Sequence, residues 1–221
     1  MKKLFALLMA IVMIVSLLPV QAVFAEGEPP ANTIALETMQ IVLPAEATDV
    51  EETAAEELQS YIAQMTGTTP AVVTEGAQSG SAIYVGATQA ATAAGVTFTD
   101  NDLGEGWAIK AQSGNLYLVG GETRGVLYAV YHLLEDVFGV RWWNLWEEYV
   151  PELDSAAMAN DYSDSGVPAM DYREIYIGDE KAETLWFVRN RLNGFTSNAP
   201  VEYGGELDFG RPYHVHTFYH Y

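Results

Sequence analysis

The sequence predicts an α/β (α+β) fold: a mixed sheet with helices packed on one face, followed by a second strand-helix-strand unit. Three observations carry this. Two stretches, Ala54–Met65 and Val126–Val137, repeat apolar residues three and four apart, as an amphipathic helix requires. Short apolar runs bounded by Gly, Pro and Ser lie before and between them, as strands do. After a polar, Asp/Ser-rich stretch over 152–168 the strand-then-helix pattern begins again.

The elements follow in order. Thr33–Leu43, with Ile34, Leu36, Ile41, Val42 and Leu43, reads as one strand stopped by Pro44. Thr48-Asp49-Val50-Glu51 is a capping-box pattern, in which a hydroxyl and a carboxylate satisfy the free amides of a helix start. The helix buries Ala54, Ala55, Leu58, Tyr61, Ile62 and Met65 and ends at Gly67, where only glycine turns left-handed without penalty. Ala71–Val73 and Ala82–Val85 read as strands, and Gln89–Ala94 as a short helix closed by Gly95. Trp107–Ala111 and Leu116–Val119 flank a hairpin turn at Ser113-Gly114-Asn115. A second helix carries Val126, Leu127, Val130, Leu133, Leu134 and Val137 and is stopped by Gly139. Val140–Trp143 and Glu148–Val150 are short extended pieces before Pro151. Glu152–Pro168 reads as a linker. Beyond it, Met170–Ile177 reads as a strand, Asp179–Leu192 as a helix and Phe195–Ser197 as the start of another strand. That order makes a parallel unit, which needs further strands to be stable, so residues 169–221 read as part of a larger repeating domain.

Residues 1–25 carry an export signal. Lys2 and Lys3 open it, Leu4–Leu18 is almost wholly apolar, Pro19 breaks the run, and Val23-Phe24-Ala25 offers a small-x-small cleavage site after Ala25. The apolar run, at roughly 15 residues, falls short of the ~20 needed to span a bilayer, which argues against an uncleaved anchor. The expected location is therefore extracellular or at the cell surface, with no membrane contact after cleavage. The net charge of −20 excludes nucleic acid and anionic lipid as natural partners. With no cysteine, an exported chain cannot use disulfides and depends on its core.

The chemistry-bearing residues are few. Glu147-Glu148 is the most visible acidic pair, but adjacent strand residues point to opposite faces and cannot flank one bond. Trp142, Trp143 and Trp146 can stack on sugar rings or pack between two domains. His214 and His216 are spaced to share one strand face, with His220 following, so metal ligation, sugar contact and plain packing all stay open. His132, inside an apolar helix, reads as a packed histidine. The glycines of Gly120-Gly121-Glu122-Thr123-Arg124-Gly125 have the wrong spacing for a dinucleotide or phosphate loop, and no nucleophile elbow is present. No cofactor or resident metal is expected.

Several of these residues carry a resemblance. Gly120–Trp143, with Gly106-Trp107-Ala108-Ile109 before it and Tyr149-Val150-Pro151 after it, resembles the N-terminal domain of family 67 alpha-glucuronidases. It is also similar to the second domain of beta-hexosaminidases, and most of all to domain of unknown function 4838, a family of bacterial secreted proteins. Glu52–Met65 with Thr66-Gly67, Ile83-Tyr84-Val85-Gly86, Tyr172-Arg173 and Arg189–Gly194 fit the same pattern. The resemblance implies an accessory domain over 26–151, the linker over 152–168, and over 169–221 the start of a truncated (β/α)8 barrel. Chemistry in such enzymes sits at the carboxyl ends of the barrel strands and needs two carboxyl groups. No catalytic residue is therefore assigned here; the catalytic carboxylates are expected beyond Tyr221. Arg173, on the first barrel strand, is expected either to fork onto sugar hydroxyls or a uronate, or to pair with a local carboxylate such as Glu174 or Asp171. Asn198, near a strand end, joins Arg173, His214 and His216 as a substrate-binding candidate. The resulting expectation is a secreted carbohydrate-active protein, the N-terminal part of a glycoside hydrolase acting on a polysaccharide or glycan. The alternatives are a non-catalytic glycan-binding surface module and a metal-dependent hydrolase built on His214 and His216.

Overall fold

The computed structural model describes residues 32–175 and 184–207. Its centre is a six-stranded sheet in the order β10-β5-β6-β4-β2-β3. The strands are β2 (Gln40–Leu43), β3 (Val72–Thr74), β4 (Ala82–Val85), β5 (Trp107–Gln112), β6 (Asn115–Gly120) and β10 (Ser163–Gly166). β2, β3, β4 and β6 run parallel, while β5 and β10 join by antiparallel pairing. This is the mixed sheet that the sequence predicts.

Two long helices cover one face. Helix α1 (Asp49–Thr66) starts with the expected capping box: Thr48 Oγ1 accepts from Glu51 N at 3.2 Å, and Glu51 Oε2 accepts from Thr48 N at 2.9 Å. The other oxygen of Glu51 accepts from Ala87 N at 2.7 Å, which ties the start of α1 to the end of β4. Gly67 ends the helix at φ 74. Leu58 and Ile62 of α1, together with Leu127 and Val130 of the second long helix, α3 (Gly125–His132), meet Ile41, Ile83, Ile109 and Leu118 of the sheet in one buried cluster. The alternate strand residues Val42, Tyr84, Tyr117 and Val119 face the other way and pack with Ala91 of the short helix α2 (Gln89–Ala93). Both faces are therefore partly covered, the second one thinly.

α3 does not end where its hydrogen bonds first weaken. It widens into a π turn over Leu133–Val137, a single-turn insertion of the kind that re-aims side chains. Its start is crowded. A Cβ on Gly125 would lie 2.1 Å from Gly106 O, and one on Gly120 would lie 2.1 Å from Gly125 C. The glycines of the 120–125 turn are thus needed because three backbone segments cross there.

Three expectations change. The run Thr33–Leu43 is not one strand: β1 (Thr33–Ala35) is separated from β2 by a 3-10 turn over Leu36–Thr38. The break lets Leu36 drop into the core and lets Glu37 accept from Ser155 Oγ at 2.7 Å and Ala156 N at 3.0 Å. The stretch 152–168, expected as a linker, contributes β9 (Ala157–Ala159), paired to β1, and β10, paired to β5. Edge pairing in β10 uses backbone groups and leaves one face wet, so Ser163, Asp164 and Ser165 serve there without an apolar signature, whereas β9 buries Met158. In the second part, residues 170–175 form no strand, and Phe195–Ser197 is a 3-10 turn. The expected helix is seen as α4 (Thr184–Arg189). The export signal, residues 176–183 and residues 208–221, with His214, His216 and His220, lie outside the described residues.

The remaining expected elements are found: β7 (Arg141–Asn144) and β8 (Glu147–Tyr149) form a separate two-stranded ribbon, and the β5–β6 turn places Ser113 and Gly114 at positive φ. Replacing Gly125 by Ala is expected to cost about 2–3 kcal/mol, because the opposing atom is a backbone oxygen that cannot swing away. Urea midpoints of the two proteins at constant m-value measure this.

Candidate functional site

The most heavily bonded group is Glu105, fully buried in the loop before β5. The loop is shaped by its own side chains. Asn101 Oδ1 accepts from Leu103 N at 3.2 Å and Glu105 N at 3.0 Å, and Asp100 Oδ1 accepts from Gly106 N at 2.8 Å. Glu105 Oε1 then accepts from Arg124 Nη1 at 3.0 Å, Arg173 Nη2 at 2.8 Å and Asn193 Nδ2 at 2.8 Å. Its Oε2 accepts from Arg173 Nη1 at 3.0 Å. Burial by itself pushes the Glu105 carboxyl up. The hydrogen bonds from Arg173 and Asn193 and the charges of Arg173 and Arg124 outweigh that and hold it below the ordinary carboxylate range.

The Arg173 guanidinium is engaged within its own chain. Its partner is not Glu174 or Asp171 but a carboxylate far away in sequence. All five of its N–H groups have acceptors: besides Glu105, Nε donates to Arg191 O at 2.7 Å, Nη1 to Met170 O at 2.6 Å, and Nη2 to Tyr128 OH at 2.7 Å. Glu174 instead accepts from Tyr172 OH and from Thr196 N, each at 2.8 Å. Asn198 sits exposed at the end of the 3-10 turn, at φ 47, a left-handed position that Asn tolerates. No hydrogen bond joins Asn198 to Arg173. A carboxylate saturated by guanidinium and amide donors, out of reach of water, cannot exchange protons with a substrate.

Two further arginines bind the second part of the chain to the first through ion pairs. Arg189 grips Glu57 through Nε at 2.9 Å and Nη2 at 3.0 Å, reaches Glu148 at 3.4 Å, and lies 5.3 Å over the Tyr61 ring. Arg191 pairs with Glu135. Asn190 donates to Trp142 O at 3.4 Å and Trp186 O at 2.9 Å, so it too has a structural role.

The tryptophans divide. Trp142 is buried edge-on between Tyr61 and Tyr131, with Nε1 donating to Tyr61 OH at 2.8 Å. Trp143 and Trp146 are 61% and 76% exposed. Trp146 lines a cleft of about 430 Å³ with Asn144, Glu147, Glu148, Leu185, Trp186 and Arg189. Glu147 and Glu148 have different partners, Glu148 accepting from Tyr61 OH at 2.7 Å and Glu147 from Asn144 at 3.3 Å, but both line this cleft. His132 packs on Trp107 with ring centroids 4.0 Å apart and bonds Asp136 at 2.8 Å. Among the described residues no cluster of three His, Asp or Glu is placed to hold a metal ion. The Glu105 network was missed in the sequence. Its only trace there is a carboxylate flanked by Gly104 and Gly106 and a lone Arg124 at the start of an apolar helix.

Comparison with known proteins fits this architecture. Residues 30–133 match the family described as Glycosyl hydrolase family 67 N-terminus. A family GH115 4-O-methyl-alpha-glucuronidase with specificity for decorated arabinogalactans shares the fold at 12% identity and a TM-score of 0.54, over 74% of this chain and 25% of that one. A GH138 enzyme targeting pectin rhamnogalacturonan II aligns at 15% identity and a TM-score of 0.44, over 71% of this chain and 18% of that one. The chain thus spans a quarter or less of the length of these solved structures. No curated protein matches it in sequence. Residues 30–133 thus resemble the N-terminal domain of family 67 glycosyl hydrolases, and the fold is shared with the GH115 enzyme.

Glu105→Ala would leave two guanidinium groups facing an empty buried site, so it is expected to destabilise the fold by about 3–5 kcal/mol in denaturant titration. The pH dependence has a definite sign. A carboxyl whose folded pKa is depressed contributes stability above its unfolded pKa, about 4.3, and loses it as pH falls toward the folded value. The wild type should therefore lose stability steeply below about pH 4, and Glu105→Gln should flatten that part of the profile.

Proposed function

We propose that this chain is the exported N-terminal part of a glycoside hydrolase of alpha-glucuronidase or hexosaminidase type, non-catalytic as it stands. The accessory domain occupies 26–151, with β9 and β10 returning to it, and residues 169–221 begin a (β/α)8 barrel whose further strands would supply the two catalytic carboxyl groups. The export signal would be removed after Ala25, leaving a secreted or surface-held protein that meets polysaccharide outside the cell.

The observation that carries the reading is the backbone pattern around α4. Asn193 N and Gly194 N donate to Arg173 O at 3.1 and 3.0 Å, so the residues before and after the helix lie side by side. Leu207 N then donates to Asn193 O at 2.6 Å, and Gly194 and Leu207 form a parallel bridge. One parallel bridge in the segment that follows a helix supports the reading, because parallel neighbours linked by crossovers are the unit from which such a barrel is built. The saturated state of Glu105 supports the reading that this buried carboxylate is structural. The match to a family 67 N-terminus supports the substrate class.

An open reading frame continued past codon 221 should encode more strand-helix units. Its product should release reducing sugar from glucuronoxylan or from an amino-sugar glycan, while residues 26–221 release none. Failure of the extended product on every glycan tested would overturn the hydrolase. The exported chain should begin at Glu26 by intact-mass measurement of the culture medium; a secreted product beginning at Met1 would contradict cleavage.

A further inference from the structure

The ribbon β7–β8 holds three exposed aromatic residues within a short span: Trp143, Trp146 and Tyr149, at 61%, 76% and 52%. Large apolar rings left in water at one place call for a partner. The ribbon is not loose. Trp142 is clamped by Tyr61 through its indole N–H, and its carbonyl accepts from Trp186 Nε1 at 3.0 Å. The tip is set by Asn144, whose Oδ1 accepts from Trp146 N at 2.9 Å. Trp146 is therefore held out by a rigid support, as a preformed binding surface is.

The cleft beside it has two kinds of wall. Trp146 and Trp186 offer aromatic surface, with Leu185 and Leu145, while Asn144, Glu147 and Glu148 offer an amide and carboxylates. Its volume, about 430 Å³, is within the range of small-ligand sites. An aromatic face beside hydrogen-bonding groups suits a pyranose, which is apolar on its C–H faces and hydroxylated at its edge. Charge narrows the choice. The chain carries −20, two carboxylates stand at the cleft, and its one guanidinium, Arg189, is already gripped by Glu57. A polyanion would be repelled.

We infer that the cleft between the tip of β7–β8 and α4 binds an uncharged polysaccharide chain, with Trp146 stacking on a sugar ring and Asn144 and Glu147 meeting its hydroxyls. The site would hold the backbone of the polymer rather than its acidic decorations. This deepens the carbohydrate reading and rests on it only for the choice of polymer.

The test is isothermal titration of the chain over residues 26–221 with xylohexaose, cellohexaose and mannohexaose, and with polygalacturonate as the acidic counterpart. At least one neutral hexasaccharide should bind and polygalacturonate should not. Trp146→Ala should weaken binding by about tenfold or more with an unchanged melting temperature, since the ring is exposed. Trp143→Ala, on the opposite side of the ribbon from Trp142, should bind like the wild type. Tighter binding of polygalacturonate, no binding of any neutral chain, or full affinity in Trp146→Ala would each overturn the site. So would a dimer that Trp146→Ala dissociates without any effect on sugar binding, because the cleft would then join two copies. Binding without hydrolysis by the extended gene product would retain this site and remove the hydrolase; hydrolysis without binding here would do the reverse.

Discussion

A single buried carboxylate organises the junction between the two parts of this chain. Glu105 has lost all contact with water, and a lone carboxylate in that position would be neutral or would unfold its surroundings. It stays ionised because Arg124, Arg173 and Asn193 fill its acceptor positions. Two of those three donors come from beyond the sheet. The first domain therefore depends on residues 173 and 193 to complete its own interior, and those residues depend on Glu105 to satisfy theirs. Removing either side leaves charge buried without a counter-charge, the most expensive error a protein interior can contain.

The same logic repeats along the interface. With only 10 Lys and Arg against 30 Asp and Glu, cations are scarce. Arg173, Arg189 and Arg191 nevertheless all turn inward onto Glu105, Glu57 and Glu135. The surplus of acid surrounds each of these arginines with candidate partners. The selected carboxylates are those that α1, the loop before β5 and the π turn after α3 present toward α4 and its flanks. The π turn has a clear role here, since it carries Glu135 to Arg191 and Asp136 to His132. What reads as a polar spacer is likewise part of the body: β9 and β10 close two edges that β1 and β5 would otherwise leave unpaired. The second part is thus set in place by ion pairs rather than held on a tether.

Much of the sheet and its helices was legible in residue order. Thr48 and Glu51 announce α1, Gly67 its end, and Ser113-Gly114 a hairpin, because these depend on interactions within a few residues. Ala82–Val85, short, continuous and apolar, reads as a strand and is one, and the sheet places it between two neighbours. The failures are of a different kind. β10 has no apolar signature because its edge pairing is made by backbone groups, and β9, Ala157–Ala159, is too short for a pattern to show. Thr33–Leu43 breaks because Glu37 finds Ser155 and Ala156, far along the chain. Trp142 and Trp146 look alike in sequence, yet one fills the space between Tyr61 and Tyr131 and the other stands in solvent.

What the sequence determined by itself was local: the caps, the turns, the two helical stripes, the surplus of acid, the lack of disulfides and the family likeness of the 120–143 stretch. What only the tertiary structure decided was partnership. Arg173 is equally able to bind a uronate or a carboxylate of its own chain, and no spacing rule connects it to a glutamate 68 residues earlier. The hydrogen-bonding capacity of a side chain is written in its identity, but the group that uses it is chosen by which distant segments the core brings together.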